Sequence, residues 1–361
     1  MRAISAADAV SFAIQRTKEF LFRPFNWGTY LKLGLVAIIT EGLGSNFNSS
    51  SHRTQTSTRI DTLPWGTRPE GAPTFPPQFH IAPVWIAAIA AAVLLAIVVS
   101  VFIFYLVTRL RFAYFHCLIH NTKEIRPGWA IYHTQTMRFF WLNLAVGFCF
   151  LLVVALLAIP FVTGFMRLYQ DTQQGNPLNI GLLLSLVLPL IPILLLLALA
   201  AALADIVLRD CMLPHIALDD ATVGEAWSQV WAHINAERKQ FFVYALLRIA
   251  LPIVAVVGLF MVLLIPGLMV AGCVAAIEYG IHSTFANATG ASALVGILLQ
   301  AFFGVLAFGF LLLAGICLGG PVSTGIREYA LIFYGGRYRE LGDILYPPPP
   351  QATGSGPLEL A

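Results

Sequence analysis

The sequence predicts an all-α integral membrane protein of about six transmembrane helices, carrying amphipathic helices on its cytoplasmic side. The scarcity of charge, the lengths of the apolar runs and the uneven placement of the basic residues carry that prediction. Of 361 residues, 58% are hydrophobic and 11% are charged, where an ordinary soluble domain has about 25% charged residues. So few charges cannot cover a water-facing surface, whereas a lipid-facing surface requires their absence. The net charge of +3 is small and no basic tract stands out, which sets nucleic-acid binding aside.

A bilayer core is crossed by about 20 apolar residues of helix. Five segments reach that length: 84–106, 139–161, 182–206, 242–265 and 293–318. A sixth, 27–43, is shorter and contains Lys32, which can snorkel to the cytoplasmic interface, with Glu41 near its other end. The stretch 241–279 is almost continuously apolar and too long for one crossing. A crossing that ends near Pro266, followed by an interfacial or re-entrant stretch to Ile281, is expected there. A seventh span would instead strand the basic C-terminal region outside.

Orientation follows from the basic residues, which are retained in the cytoplasm. With an even number of spans and the N-terminus inside, only Arg53, Arg59, Arg68 and Arg167 of the 21 lysines and arginines fall on the outer face. Both termini are therefore expected in the cytoplasm, with the chain in a cell membrane of bacterial cytoplasmic type. Residues 1–346 form one polytopic membrane domain, with a polar Ser/Thr/Pro-rich extracytoplasmic loop at 45–83. Residues 347–361 are a Pro-rich cytoplasmic tail expected to be disordered. The first 22 residues lack the unbroken apolar core of a cleaved leader. The cysteines Cys117, Cys149, Cys211, Cys273 and Cys317 are odd in number, form no CxxC and read as small buried side chains.

A pattern recurs before the odd-numbered spans. Val10, Ile14, Thr17 and Leu21 share a helical face before the first. Trp129, Tyr132, Thr136 and Phe140 do so before the third, and Val223, Trp227, Val230, Ile234 and Phe241 before the fifth. Each copy ends on a cation beside large apolar residues: Lys18 with Phe20 and Phe22, Arg138 with Phe139, Lys239 with Phe241 and Phe242. Such pairs suit the headgroup boundary, where rings meet hydrocarbon and charge meets phosphate. Ile326, Tyr329, Ala330 and Phe333 repeat the stripe after the last span, so the chain parses as three helix-plus-hairpin units.

The lead-in Phe20-Leu21-Phe22-Arg23-Pro24-Phe25 with Trp27 and Leu31-Lys32-Leu33-Gly34, and the late segment around Arg327-Glu328-Tyr329-Ala330, resemble a group of uncharacterised prokaryotic membrane proteins. The layout is similar to the membrane domain attached to some glycerophosphoryl diester phosphodiesterases. That resemblance implies a membrane module and not the hydrolase, because the soluble barrel and its carboxylate cluster have no counterpart here.

Candidate chemistry is sparse. His116 and His120 stand four apart, but no acidic ligand accompanies them, so packing is their plainer role and no metal or cofactor is expected. Arg109 and Arg111 beside Phe112, Tyr114 and Phe115, together with Arg138 and Lys239, are the expected contacts to anionic headgroups. Arg248 lies two turns into the fifth span and is either functional or a snorkelling anchor. Asp205 stands one turn before Arg209 and can pair with it. Asp219 or Asp220 is expected to cap the following helix. Gly315 and Gly319 match a small-residue motif for close helix packing. No GxSxG element, ATP-binding loop or Cys/His grouping occurs. The expected function is non-enzymatic, organising or sensing lipid or supporting a membrane complex. The alternative is a transporter or channel, for which Pro189, Pro192, Pro252 and Pro266 would break helices. Membrane lipids, anionic ones among them, are the expected partners.

Overall fold

The computed structural model describes residues 4–45, 83–174, 180–285 and 290–346. Residues 46–82 of the polar loop and the Pro-rich tail fall outside the described residues. Eleven α-helices follow one another among the described residues, with no strand. They are α1 (Asp8–Phe22), α2 (Trp27–Ser45), α3 (Pro83–Ile119), α4 (Arg126–Ile131), α5 (His133–Gln173) and α6 (Ile180–Ile206). After a π-helical segment, Val207–Met212, come α7 (Leu213–Leu218), α8 (Val223–Ala236), α9 (Arg238–Phe285), α10 (Ala291–Gly335) and α11 (Arg339–Leu345).

The chain divides into two units, Met1–Ser45 with Thr108–Ala361 and, separately, Asn46–Val107. The second unit is represented by the N-terminal part of α3, whose side chains over residues 87–99 are apolar and exposed.

Five helical stretches are long and apolar enough to cross a membrane: Ala87–Ile119, His133–Gln173, Leu183–Leu218, Arg238–Phe285 and Ser292–Gly335. In each, the most apolar window is 0% buried by other protein. Side chains such as Leu195 (71% exposed), Val262 (73%) and Val305 (72%) therefore have no protein partner over most of their surface. In water this area would be costly; in hydrocarbon it is the expected covering.

Two expectations change here. The helix of the fifth span does not break at Pro266 into a separate stretch, because α9 continues through both prolines to Phe285. At 1.5 Å per residue its 48 residues reach roughly 70 Å. A proline removes one hydrogen bond, but an apolar stretch without water offers its other backbone groups no partner except the helix itself. The second change concerns the direction of α2, a 19-residue helix that carries Lys32 and Glu41.

Along its contact with α10, α2 runs in the same direction. The Tyr30 hydroxyl donates to the Cys317 carbonyl, Gly34 meets Gly320, and Glu41 comes within 4.0 Å of Arg327. Six alternating crossings would require the first and last to oppose each other. The Gly34–Gly320 approach is tight: a Cβ on Gly320 would lie 2.7 Å from the Gly34 Cα. The small-residue motif thus serves packing within the chain, displaced by one residue from Gly319.

The first unit has one core. It joins α1, the first half of α2, the end of α3, the π segment with α7, the start of α9 and the end of α10. Its largest fully buried side chains are aromatic, among them Phe20, Phe112, Phe115, Tyr114, Tyr244, Tyr329, Phe333 and Tyr334. Tyr244 stacks on Phe333 with centroids 4.2 Å apart, and Phe112 meets Phe139 edge-on at 5.5 Å. Both ends of the described chain close on this core. Arg337 lies 4.0 Å over the Phe333 ring, pairs with Glu237 at 2.7 Å and donates to the Ile4 carbonyl.

The helices expected before the spans are present as α1, α4 and α8, but their buried faces differ from the expected stripes. α1 buries Ala9, Ala13, Thr17, Phe20 and Leu21, while Ile14 is 64% exposed. α8 buries Ala226 and Val230 and leaves Trp227 and Trp231 half exposed and stacked on one another. The cap of α8 is Thr222, which accepts from the Glu225 N–H while the Glu225 carboxylate accepts from the Thr222 N–H. Asp219 and Asp220 do not fill that role. Asp220 has φ 51° and supplies the turn between α7 and α8.

Candidate functional site: a buried cluster of arginines and carboxylates

Burying an ion is costly unless an opposite charge and hydrogen bonds replace the lost water. The core of the first unit contains a cluster that meets this requirement with residues from five chain segments. Asp210, 1% exposed, stands at its centre. Its Oδ2 accepts from the Tyr244 hydroxyl at 2.8 Å and from Arg248 Nε at 2.9 Å. Its Oδ1 accepts from Arg327 Nη1 at 2.8 Å. Glu41 forms a second centre: Oε2 lies 2.8 Å from Arg209 and 3.1 Å from Arg248, and Oε1 lies 4.0 Å from Arg327.

Arg209 also pairs with Asp205 at 2.9 Å, as its spacing suggested, and donates to the Thr40 carbonyl at 3.1 Å. Arg111 Nε donates to the same carbonyl at 3.1 Å. Four guanidinium groups thus surround three carboxylates, and the space lined by Glu41, Arg111, Arg209 and Arg327 with Thr40, Tyr114 and Leu213 has no room for a water molecule.

The local fold explains how one stretch supplies two of these groups. In a regular α-helix, neighbours such as Arg209 and Asp210 point about 100° apart. The wider π turn at Val207–Met212 buries Leu208, Arg209, Asp210, Cys211 and Met212 together. Arg209 reaches Glu41 while Asp210 reaches Arg248 and Arg327. π turns of this kind commonly mark functional positions.

A second buried pair flanks the cluster. Arg16 Nε lies 3.1 Å from Glu328 Oε2, and the Glu328 side chain is 0% exposed. Arg16 also donates to the Leu118 carbonyl at 2.8 Å. Beyond it, His215 bonds the Tyr334 hydroxyl at 2.7 Å and Asp219 at 3.3 Å. Burial raises the Asp219 pKa, but hydrogen bonds from Glu340, Tyr338 and His215 outweigh that and hold its carboxyl below the usual range. The hydrogen bond to Asp219 pushes the Glu340 carboxyl up.

The residues singled out from sequence separate into two groups. Arg111 and Arg248 lie inside the cluster, 6% and 9% exposed, and neither snorkels out of the core. Arg109 lies 4.7 Å over the Trp129 ring and donates to the Trp129 carbonyl. Arg138 is on the surface, paired with Asp220 at 3.0 Å, and Lys239 is exposed. His116 and His120 are ring neighbours, 4.4 Å between centroids, and His116 bonds the Tyr132 hydroxyl. Among the described residues no group of three or more His, Cys, Asp or Glu converges as a metal site would, and the five cysteines are free.

Glu41, Asp210 and Arg327 were visible as isolated charges in or beside apolar helices. What the sequence lacked was their pairing, because the arginine and carboxylate partners stand from 38 positions apart, for Asp210 and Arg248, to more than 200, for Glu41 and Arg248.

The chain belongs to DUF7544, a family of unknown function, whose model matches residues 4–344. No curated protein and no solved structure matches it.

Proposed function

We propose that this member of the family is a non-enzymatic multi-pass membrane protein that organises or senses lipid, or supports a membrane complex, with its charged core on the cytoplasmic face. One observation carries the reading. The ionisable groups of the core are bonded to one another around a space too small for a substrate, while the remaining large surface is exposed and apolar. The basic residues gathered in the core, among them Arg16, Arg111, Arg209, Arg248 and Arg327, support the cytoplasmic placement, because basic residues beside spans are retained on that side. The resemblance in layout, read from the sequence, to membrane domains attached to some phosphodiesterases supports a module without chemistry of its own.

Of the four cations expected at headgroups, Arg138 and Lys239 stand at the surface. Native mass spectrometry of protein released from nanodiscs tests their role. The double variant Arg138→Glu and Lys239→Glu is expected to retain less anionic lipid than the parent. Equal retention would discard these contacts.

A transporter is the second reading, favoured by the π turn that feeds Arg209 and Asp210 into a network with Arg248. Solute flux in proteoliposomes that disappears in a folded Arg248→Lys variant would establish it.

A further inference from the structure

The turn between α1 and α2 gathers features that neither the charge cluster nor the headgroup cations use. Phe22, Phe25, Trp27 and Tyr30 form a continuous ring cluster. Phe22 stacks on Phe25 at 6.1 Å, Trp27 meets Phe25 edge-on at 5.1 Å, and Tyr30 touches all three within 6.2 Å. A cluster of this size normally belongs to a core, yet Phe22, Phe25 and Trp27 are 44%, 46% and 63% exposed.

Cations stand next to these rings in the chain or contact the turn. Arg23 and Lys32 are exposed, and Lys123 donates its Nζ to the Pro24 carbonyl at 2.7 Å, which ties the α3–α4 connection to the turn. None of these three is ion-paired among the described residues. Lys18 adds a fourth positive charge nearby in the chain, against the carboxylates Glu19 and Glu124.

The position of the turn identifies what it meets. Tyr30 is bonded to Cys317 of α10, and the run of exposed large apolar side chains on that helix, from Leu294 to Leu313, ends four residues earlier. The ring cluster therefore lies beside the end of the exposed apolar run of α10. Exposed aromatic rings at the end of a lipid-facing stretch, with unpaired cations beside them, match the boundary between hydrocarbon and headgroups.

We propose that the α1–α2 turn docks on the surface of an anionic bilayer, Phe22, Phe25 and Trp27 wedging among the lipids and Arg23, Lys32 and Lys123 meeting their phosphates. This deepens the membrane reading above by naming the contact surface and the lipid class. It rests on that reading only for the presence of a bilayer.

The test uses the full chain in nanodiscs with equal amounts of phosphatidylcholine and phosphatidylglycerol, carrying p-benzoylphenylalanine in place of Phe25 or, as a reference, of Phe308 on the apolar face of α10. After irradiation, intact-mass measurement identifies the adducts. A lipid adduct at position 25 is expected, enriched in phosphatidylglycerol roughly fivefold over the ratio at position 308, the ratio given by about 1 kcal/mol of attraction to one basic residue. Adding Arg23→Gln, Lys32→Gln and Lys123→Gln is expected to abolish the enrichment and leave the adduct.

No lipid adduct at position 25 while position 308 reacts would overturn the docking turn and leave the membrane reading intact. An enrichment that survives the three substitutions would overturn the role of these cations. Failure at position 308 itself would overturn the membrane reading.

Discussion

The core of the first unit and the apolar shafts of α5, α6, α9 and α10 are parts of the same helices, yet they are held by different forces. Within α9, Phe241, Tyr244 and Arg248 are buried among aromatic rings and carboxylates, while Phe260, Val262 and Ile265 farther along are 60%, 73% and 69% exposed. Helical hydrogen bonds are the same in both stretches. What changes is the partner, protein for the first three residues and lipid for the others.

The core is specific because each buried charge has a named partner, and leaving one unpaired is expensive. The shafts are permissive because one apolar side chain suits hydrocarbon as well as another. The two regions should therefore respond to substitution on different scales.

The largest effect is expected at Asp210. Asp210→Ala leaves Arg248 and Arg327 buried without their shared anion, a loss of about 3–5 kcal/mol by the cost of breaking a buried pair. Thermal unfolding in detergent should show a strongly lowered midpoint or no cooperative transition. A variant unfolding like the parent would mean that the cluster is dispensable and the comparison misplaced.

A smaller effect sharpens the contrast within α10 alone. Gly320→Ala pushes a methyl to within 2.7 Å of the Gly34 Cα, whereas a Cβ on Gly315 meets nothing within 4 Å. Overpacking of this kind costs about 1–3 kcal/mol. Gly320→Ala should therefore destabilise clearly while Gly315→Ala leaves the midpoint unchanged. Equal effects would place the α2–α10 crossing elsewhere.

The smallest effect belongs to the shafts. Phe308, 66% exposed, faces no protein over most of its surface. Because the unfolded chain in a membrane also keeps its apolar residues in lipid, Phe308→Ala is expected to change stability by less than about 0.5 kcal/mol. A loss as large as that at Gly320 would show that the shaft has a protein partner, such as a second subunit.

The fold was legible from sequence to the extent that lipid contact demands a composition. The apolar runs around 139–161, 182–206, 242–265 and 293–318 sit inside the helices found, because hydrocarbon imposes one requirement that a run of Leu, Val and Phe meets by itself. Two boundaries were not legible. Pro266 does not stop α9, since a proline's effect depends on what else its neighbours could bond. The segment 27–43 had the composition of a marginal span, and only its contacts with Cys317, Gly320 and Arg327 show that it runs along α10 in the same direction.

The candidate site was legible as a set of suspicious residues. Arg248 was singled out for its depth and Asp205 with Arg209 for their spacing, while Glu41 stood out only as the charge near the end of a marginal span. Arg111 was read as a surface cation, because its neighbours Phe112 and Tyr114 suit an interface as well as a core. No periodicity distinguishes those two environments; the Thr40 carbonyl that receives its Nε lies 71 positions away.

By itself the sequence determined that this chain is helical, apolar and suited to lipid, since the hydrophobic effect and the cost of unpaired backbone groups act on each segment separately. Only the tertiary structure decided that Asp210 and Glu41 anchor Arg209, Arg248 and Arg327, that Gly34 meets Gly320, and that an aromatic turn is left exposed beside unpaired cations. Those outcomes depend on which distant segments meet. A buried charge states that it needs a partner but does not say where in the chain the partner is.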